Sequence, residues 1–150
     1  MSELTHIGAE GEARMVDVSA KPELEREAIA RGEIRLAMAT LDAIESGDTA
    51  KGNVLGTARL AGIMAAKKTA ELIPLCHPLP ITHAEVNFEF PENRDRIVIT
   101  ASARISAQTG VEMEALMAVS TAALTIYDMC KAIDKRMVIS DISVTLKTKR

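Results

Sequence analysis

A chain of 150 residues, 47% of them hydrophobic and 26% charged, has the size and composition of a globular domain with a sizeable core. The formal net charge of −3 and the aromatic content of 2% argue against a nucleic-acid partner, which would need a basic surface and stacking side chains. No signal-peptide core and no apolar run near the roughly 20 residues that span a bilayer are present, which predicts a cytoplasmic protein without a membrane partner. We expect a single domain over residues 1–150, with residues 1–12 as a flexible arm.

The first part of the domain is predicted to contain two short helices and a strand. Pro22 suits the first position of a helix and Gly32 a C-terminal stop, so a helix is expected between them. The alternation of polar and apolar residues over 33–38 predicts a strand. A second short helix is expected to end at Gly47.

The middle of the chain contains two longer helical segments. Residues 51–72 are rich in alanine and have few β-branched side chains, which predicts a long and mostly buried helix. Three prolines within residues 74–80 forbid its continuation and predict a stiff loop. Alternating residues over 81–90 and over 97–105, with turn residues between them, predict a β-hairpin, and a second long helix is expected over 111–133.

The last strand is predicted to carry its apolar side chains on one face, namely Val138, Ile142, Val144 and Leu146. The order strand, long helix, hairpin, long helix, strand is typical of an α+β ferredoxin-like plait, an antiparallel sheet with two long helices on one face. Because the helices form a single layer, we expect the other sheet face to need a cover, which predicts a homo-oligomer.

Lys51, just before the first long helix, is the first candidate functional residue. The N-terminus of that helix would favour an anion, and Lys51 adds a positive charge. The structural alternative is that Thr49 or Asp48 caps the helix while Lys51 is a solvated neighbour.

His77 is the second candidate, because two bracketing prolines restrict the loop that it shares with Leu75 and Cys76. His77 equally suits the cap of a helix end, and Cys76 is typical of a small buried apolar residue. No other His or Cys stands at ligand spacing, which argues against a metal site.

The second long helix carries candidates at both ends. Thr109 and Glu112 have the spacing of a capping box, which leaves Glu114 without that explanation. Asp128 and Lys131 share a helical face among apolar neighbours, so they lie either at a helix edge or in a pocket, where they could transfer protons. Glu114 and Asp128 are separated by about 21 Å along the helix, so one small ligand would contact both only if a second chain completed the site.

Long motifs along nearly the whole chain resemble the cyclic pyranopterin monophosphate synthase family. They are Arg14–Ser19, Lys51–Leu55 with Ala58–Ile63, Ala65–Thr69 with Glu71–Leu79, Thr109–Leu116 and Ala122–Ala132. The resemblance implies the second step of molybdenum cofactor biosynthesis. In that step 3′,8-cyclo-7,8-dihydro-GTP becomes cyclic pyranopterin monophosphate as a cyclic phosphate closes and pyrophosphate leaves.

The resemblance also implies roles for individual residues. The implied catalytic residues are Lys51, Asp128 and Lys131. The implied substrate-binding residues are Leu75, Cys76, His77, Met113 and Glu114, with Glu112 close by and Lys67, Lys68 and Arg59 available to the triphosphate. The chemistry asks for proton transfer and charge neutralisation, which these side chains supply. No resident metal is implied, although Mg²⁺ can accompany the substrate triphosphate.

The family's assembly is a hexamer, a trimer of dimers with sites at subunit interfaces, which agrees with the distance along the second long helix. The chain departs from the family at Asn53, where Asp is common, at Gln108, where Lys is frequent, and at Met117, where Thr is frequent. It also stops at Arg150 without the Gly- and Lys-containing tail of many members. The alternative function is a non-catalytic oligomeric plait that senses a nucleotide.

Overall fold

The computed structural model describes residues 4–150, so the first three residues of the predicted flexible arm lie outside the described residues. The elements in chain order are β1 (Leu24–Arg35), α1 (Met38–Ser46), α2 (Val54–Lys67), α3 (Thr69–Leu72), β2 (His83–Glu89), β3 (Arg96–Ala107), α4 (Glu112–Cys130) and β4 (Val138–Lys149). Ahead of β1, the chain folds back on itself, and Ile7 pairs with Ala13 in a short antiparallel bridge.

The four strands form one antiparallel sheet in the order β2-β3-β1-β4. In the chain, α2 lies between β1 and β2 and α4 lies between β3 and β4, and the two helices pack against each other and against the sheet. This arrangement confirms the predicted α+β ferredoxin-like plait. It also confirms the predicted hairpin, β2-β3, and the second long helix, α4.

β1 occupies most of the segment between Pro22 and Gly32, so the helix predicted there is wrong. Alternate β1 side chains face the helices and are fully buried, namely Ala28, Ala30 and Ile34. Gly32 continues this row, because a Cβ there would lie 2.7 Å from Val119 Cγ1 of α4. Pairing with β3 on one side and β4 on the other outweighs the helix propensity of the Ala, Glu and Arg residues of β1.

Small side chains form the interface between α2 and α4. The buried ones are Ala58, Gly62, Ala65 and Ala66 of α2 and Ala115, Ala118 and Ala122 of α4. A Cβ on Gly62 would lie 2.9 Å from the carbonyl oxygen of Ala118, so the two helix backbones approach closely. This close packing places the ends of α2 directly beside the ends of α4.

The long helix predicted over residues 51–72 is shorter and divided. Asn53 caps α2, since its side chain accepts a hydrogen bond at 2.9 Å from a backbone N–H of the first turn. Neither Thr49 nor Asp48 is therefore the cap, because α2 begins after both. At the other end, Lys68 separates α2 from the short α3.

α1 ends as predicted at Gly47, which adopts the left-handed conformation with φ 79°. Its beginning is capped from a distance, because Asp134 accepts hydrogen bonds from the Ala37 backbone N–H at 3.0 Å and from the Thr40 hydroxyl at 2.9 Å. Burial would raise the pKa of Asp134, but the hydrogen bonds from Ala37, Arg136 and Thr40 lower it below its ordinary value. The ionised carboxylate thus ties α1 to the segment after α4.

The apolar side chains of β4 are divided between the two sheet faces, so the prediction that they share one face is wrong. Two register irregularities in the pairing with β1 cause this division. Val144 lies opposite a β1 residue that faces the helices, whereas Val138 and Leu146 lie opposite residues that face away from them. Asp141, with a positive φ of 56°, lies within the irregularity that is opposite the β1 segment between Arg31 and Glu33.

The sheet face away from the helices, which the sequence predicts to need a cover, is mostly polar. Glu33 is buried there between Arg31 and Arg96, with an ion-pair distance of 3.1 Å to each. Exposed large apolar side chains of the helices, of the segment after α4 and of β4 are Met38, Leu60, Met64, Leu72, Leu124, Ile133, Val138, Ile142, Val144 and Leu146. Within residues 4–150, no helix combines the length and apolar character that a membrane crossing requires.

Candidate active site

Three charged side chains meet at the C-terminal end of α4. Lys51 Nζ lies 2.8 Å from Asp128 Oδ2, and Lys131 Nζ lies 3.0 Å from Asp128 Oδ1. Lys51 comes from the loop before α2, and it reaches Asp128 because α2 runs antiparallel to α4. The structure therefore brings together the three residues to which the resemblance assigns catalysis, and we call them the triad.

The triad lies at a helix edge rather than in a closed pocket of this chain, because the three side chains are 50–57% exposed. Hydrogen bonds from Lys51 and then from Lys131 hold the pKa of Asp128 well below its ordinary value. The carboxylate is consequently ionised at neutral pH and positions the two ammonium groups. Exposed ion pairs contribute little to the free energy of unfolding, so this arrangement is better suited to a chemical role than to stabilising the fold.

A cavity of about 680 Å³, which we call the main cavity, opens at the other end of α4. Its walls include the six residues assigned to this region, namely Leu75, Cys76, His77, Glu112, Met113 and Glu114. The loop after α3 and the first turn of α4 supply them, because α2 and α3 run toward that turn.

Glu114 is a buried carboxyl group on the wall of the main cavity, with 3% of its surface exposed. Burial raises the pKa of Glu114 to about 7, and the Glu112 carboxylate adds to the rise. A carboxyl group with such a pKa can donate or accept a proton near neutral pH.

Cys76 and His77 have different surroundings in the loop. Burial raises the pKa of the Cys76 thiol, and the carboxylates of Glu114 and Glu112 raise it further, which keeps the thiol protonated and weakly nucleophilic at neutral pH. His77 Nε2 donates a hydrogen bond to the backbone carbonyl of Val16 at 2.6 Å, since a carbonyl oxygen can only accept. His77 thus ties the loop to the N-terminal segment instead of capping a helix.

The capping box predicted from Thr109 and Glu112 does not form. Val111 occupies the cap position of α4, and its apolar side chain makes no capping hydrogen bond. Glu112 Oε1 instead accepts a hydrogen bond from Lys147 Nζ at 3.3 Å, while Oε2 is buried without a hydrogen-bond partner among residues 4–150. A buried carboxylate oxygen without a partner, on a cavity wall, is suited to a donor from a ligand.

The basic residues assigned to the triphosphate lie outside the main cavity. Lys67 and Lys68 are exposed at the end of α2, and within residues 4–150 neither lines this cavity nor forms an ion pair. Arg59 Nε donates to the Val86 carbonyl at 2.9 Å, and its guanidinium lies 5.3 Å from the centre of the Phe88 ring. Arg59 therefore joins α2 to β2.

The segment before β1 supplies cavity walls to which the sequence assigned no role. These residues are Thr5, His6, Ala13, Val16, Val18 and Lys21. The Arg14 backbone N–H donates to the His6 carbonyl at 2.8 Å, which holds this segment in its folded-back shape. In the sequence, the signal for this segment was the motif Arg14–Ser19, because it resembles the motif near the N-terminus of the family's members.

α4 separates the triad from the main cavity. Glu114 lies in its first turn and Asp128 in its last, fourteen positions apart, which is about 21 Å along the helix. Within one chain, the triad and the main cavity are therefore too far apart to contact one small ligand together.

Comparison with known proteins identifies the family, since the MoaC family model matches residues 15–150. The chain belongs to the MoaC family. This MoaC chain is 60% identical over 146 residues to a cyclic pyranopterin monophosphate synthase of Desulfitobacterium hafniense, covering 97% of this chain and 89% of the relative. Proteins of the same name from Novosphingobium aromaticivorans and Clostridium perfringens are 60% and 55% identical to it. They cover 98% and 97% of this chain, and each is itself covered to 92%.

These relatives are named as synthases, and the MoaC chain is an enzyme. The alternative of a non-catalytic nucleotide sensor is therefore not retained. The described residues of the MoaC chain contain no group of three or more His, Cys, Asp or Glu side chains that could hold a metal ion.

Proposed function

We propose that this enzyme of molybdenum cofactor biosynthesis converts 3′,8-cyclo-7,8-dihydro-GTP into cyclic pyranopterin monophosphate and pyrophosphate. The triad transfers the protons that the rearrangement requires, with Lys51 and Lys131 as the acid–base groups and Asp128 as the carboxylate that positions them. The main support for the proposal is that Asp128 forms an ion pair with each lysine, at 2.8 Å to Lys51 and 3.0 Å to Lys131, in a chain of the MoaC family.

The main cavity holds the heterocyclic part of the substrate in this proposal. Leu75 and Met113 supply apolar contact, and the carboxyl groups of Glu112 and Glu114 accept hydrogen bonds from the N–H groups of the ligand. His77, held by its bond to Val16, orients the loop. Mg²⁺ accompanies the substrate triphosphate as part of the substrate.

The site is completed by a second chain. The distance of about 21 Å along α4 supports this arrangement, since one chain cannot direct its triad at a ligand in its own main cavity. Exposed apolar side chains on α2, α4 and β4 supply surface for such contacts. We propose a homohexamer, a trimer of dimers, in which the triad of one chain faces the main cavity of another.

Replacement of either lysine tests the catalytic assignment. We expect Lys51→Ala and Lys131→Ala to fold normally, because both side chains are exposed, and to lose turnover by about 10²- to 10⁴-fold, as the loss of a proton-transferring group predicts. Pyrophosphate release and formation of the pterin product are measured together, and thermal unfolding reports the fold. Lys135→Ala, which removes an exposed lysine outside the triad, is the matched control.

Turnover by the unmodified chain tests the reaction itself. Incubation with 3′,8-cyclo-7,8-dihydro-GTP should release pyrophosphate and pterin product in equal amounts. Binding of this compound without either product would contradict the proposed reaction, and unchanged activity in Lys51→Ala or Lys131→Ala would remove that lysine from the mechanism.

A further inference from the structure

The turn between α4 and β4 begins at Lys131, one of the two lysines of the triad. Lys131 is the C-cap residue of α4, and β4 starts at Val138. Residues 131–137 contain no glycine or asparagine, and none of them has a positive φ, so the left-handed cap that ends many helices is absent from this turn. Other contacts must end α4 and redirect the chain.

Asp134 shapes this turn with both its backbone and its side chain. The backbone N–H groups of Ile133 and Asp134 donate to the Cys130 carbonyl, at 3.0 and 3.1 Å, which closes the end of the helix. Asp134 Oδ1 accepts a hydrogen bond at 3.0 Å from the Arg136 backbone N–H, two positions ahead, as in an Asx turn. These bonds set the path of the backbone from Lys131 to β4.

The other carboxylate oxygen of Asp134 fastens the turn to α1. Asp134 Oδ2 accepts from the Ala37 backbone N–H at 3.0 Å and from the Thr40 hydroxyl at 2.9 Å. α1 is itself packed into the core, because Leu41 and Ile44 are buried. The turn that carries Lys131 is therefore attached to a fixed helix.

Asp134 is a costly residue for a simple helix cap. It is 8% exposed, and within residues 4–150 no lysine or arginine forms an ion pair with it. A buried carboxylate without a cation costs free energy unless hydrogen bonds satisfy it. A serine or an aspartate at position 37 would cap α1 at lower cost. Asp134 differs from such a cap because it also holds the turn after α4.

Lys131 has few constraints of its own. Its side chain is 57% exposed, and its ion pair with Asp128, at 3.0 Å, joins positions i and i+3 of the last helical turn. An exposed pair of this kind is weak, and a lysine side chain has many rotamers, so the pair alone does not fix Lys131. The position of its ammonium group relative to Asp128 therefore depends on the backbone that the Asp134 bonds hold.

We propose that Asp134 is a positioning residue for the reaction, which fastens the turn after α4 to α1 and so keeps the ammonium group of Lys131 against Asp128. This inference rests on the proposed function for the catalytic role of Lys131. Within the described chain Asp134 does not line the main cavity, so it acts through Lys131 rather than on the ligand.

Titration of the Asp128 carboxyl carbon by ¹³C NMR tests this link without any turnover. Hydrogen bonds from Lys51 and Lys131 hold the pKa of Asp128 low, so Lys131→Ala should raise that pKa. Asp134→Ala should raise it in the same direction, because Lys131 is no longer held. Thr40→Val removes one donor to Asp134 from the side of α1, and it should give a smaller rise. It carries the same measurement if Asp134→Ala does not fold.

The kinetic constants give a second readout. Asp134→Ala should lower kcat by about 10- to 100-fold, the effect that a small misplacement of a catalytic group produces. KM should change little, because Asp134 does not line the main cavity. In the Lys131→Ala background the same substitution should have almost no further effect, since the residue through which Asp134 acts is gone. Asp134→Asn keeps one oxygen for Ala37 and Thr40, so its kcat should lie between those of the unmodified chain and Asp134→Ala.

Ile99→Val is the control for a loss of stability alone, because Ile99 is fully buried in β3 and the change leaves the turn intact. An Asp128 pKa in Asp134→Ala and Thr40→Val equal to that in Ile99→Val would overturn the proposal. A kcat loss from Asp134→Ala that persists undiminished in the Lys131→Ala background would overturn it too. Failure of the unmodified chain to form the pterin product is a separate result, which would overturn the proposed function and leave the Asp128 titration to decide whether Asp134 holds Lys131.

Discussion

Glu114 is a carboxyl group in surroundings that make ionisation costly. Its raised pKa means that the folded protein keeps this proton at pH values where the unfolded chain has lost it. The stability that the protonated group contributes is thus fully present below its ordinary pKa of 4.5. This contribution to stability falls as the pH rises from 4.5 to about 7, and above that range the stability no longer depends on Glu114 ionisation.

We therefore expect Glu114→Gln to raise the free energy of unfolding at pH 8 by on the order of 1–3 kcal/mol, because the amide cannot ionise. The gain should shrink toward zero near pH 5. Urea unfolding at both pH values measures it, with Glu92→Gln, an exposed carboxyl in the β2-β3 turn, as the control. A gain that does not vary with pH would contradict the assignment of a raised pKa to Glu114.

Gly62 sets the distance between α2 and α4. Alanine is favoured over glycine in a helix by about 1 kcal/mol, yet here its methyl group would lie 2.9 Å from a backbone carbonyl and 3.0 Å from Val86 Cγ2. A backbone atom cannot swing aside as a side chain can, so the helices would have to separate.

For Gly62→Ala we predict a net loss of about 1–3 kcal/mol of stability, the usual range for overpacking a well-packed core. Denaturant unfolding measures the loss. Because α2 also positions the loop that carries Lys51, the rate of pterin product formation should fall in parallel. A Gly62→Ala variant more stable than the unmodified chain would contradict this prediction, because it would show that the interface of α2 and α4 accommodates the extra methyl group.

The elements that the sequence predicts correctly are those with a strong local signal. The β2-β3 hairpin alternates cleanly around a turn, and α4 and the αL glycine at position 47 follow helix rules. β1 fails this test, because Pro22 and Gly32 have the spacing of helix boundaries and the alanines on its buried face give no strand signal. Only contact with the close-packed helices requires small residues there, and that contact is not visible in local sequence.

The candidate site divides in the same way. The triad and the loop over 75–77 follow from motifs and from resemblance, whereas the sheet face on which each β4 residue lies depends on its pairing with β1. Two register irregularities in β4 decide that pairing. The alternation of β4 alone gives no information on them, and it also misplaces Val138 and Leu146.

At the scale of the assembly, the separation of triad and main cavity predicts complementation between two inactive chains. Lys51→Ala lacks a working triad and His77→Ala lacks a working cavity loop, so each should be inactive alone. When the two are co-expressed with different tags and purified as mixed oligomers, about a quarter of the sites should combine an intact triad with an intact cavity, if chains assort at random.

The control for this complementation uses Lys51→Ala with Lys131→Ala, where both chains lack a working triad. That mixture should stay inactive in the assay for pterin product. Equal inactivity of the first mixture would show that each site lies within one chain and would contradict the shared arrangement.

The hydrogen bonds that Asp134 accepts from Ala37 and Thr40 have a consequence for the order in which the molecule folds. The acceptor for the backbone N–H of Ala37, the cap residue of α1, lies 97 residues further along the chain, so during synthesis this bond cannot form until the chain beyond α4 has emerged. The same contact joins the segment just after Lys131 to α1, whose residues Asp42 and Glu45 bind Arg94 in the β2-β3 turn. α1 therefore acquires its cap and its ion pairs only once the rest of the domain has formed.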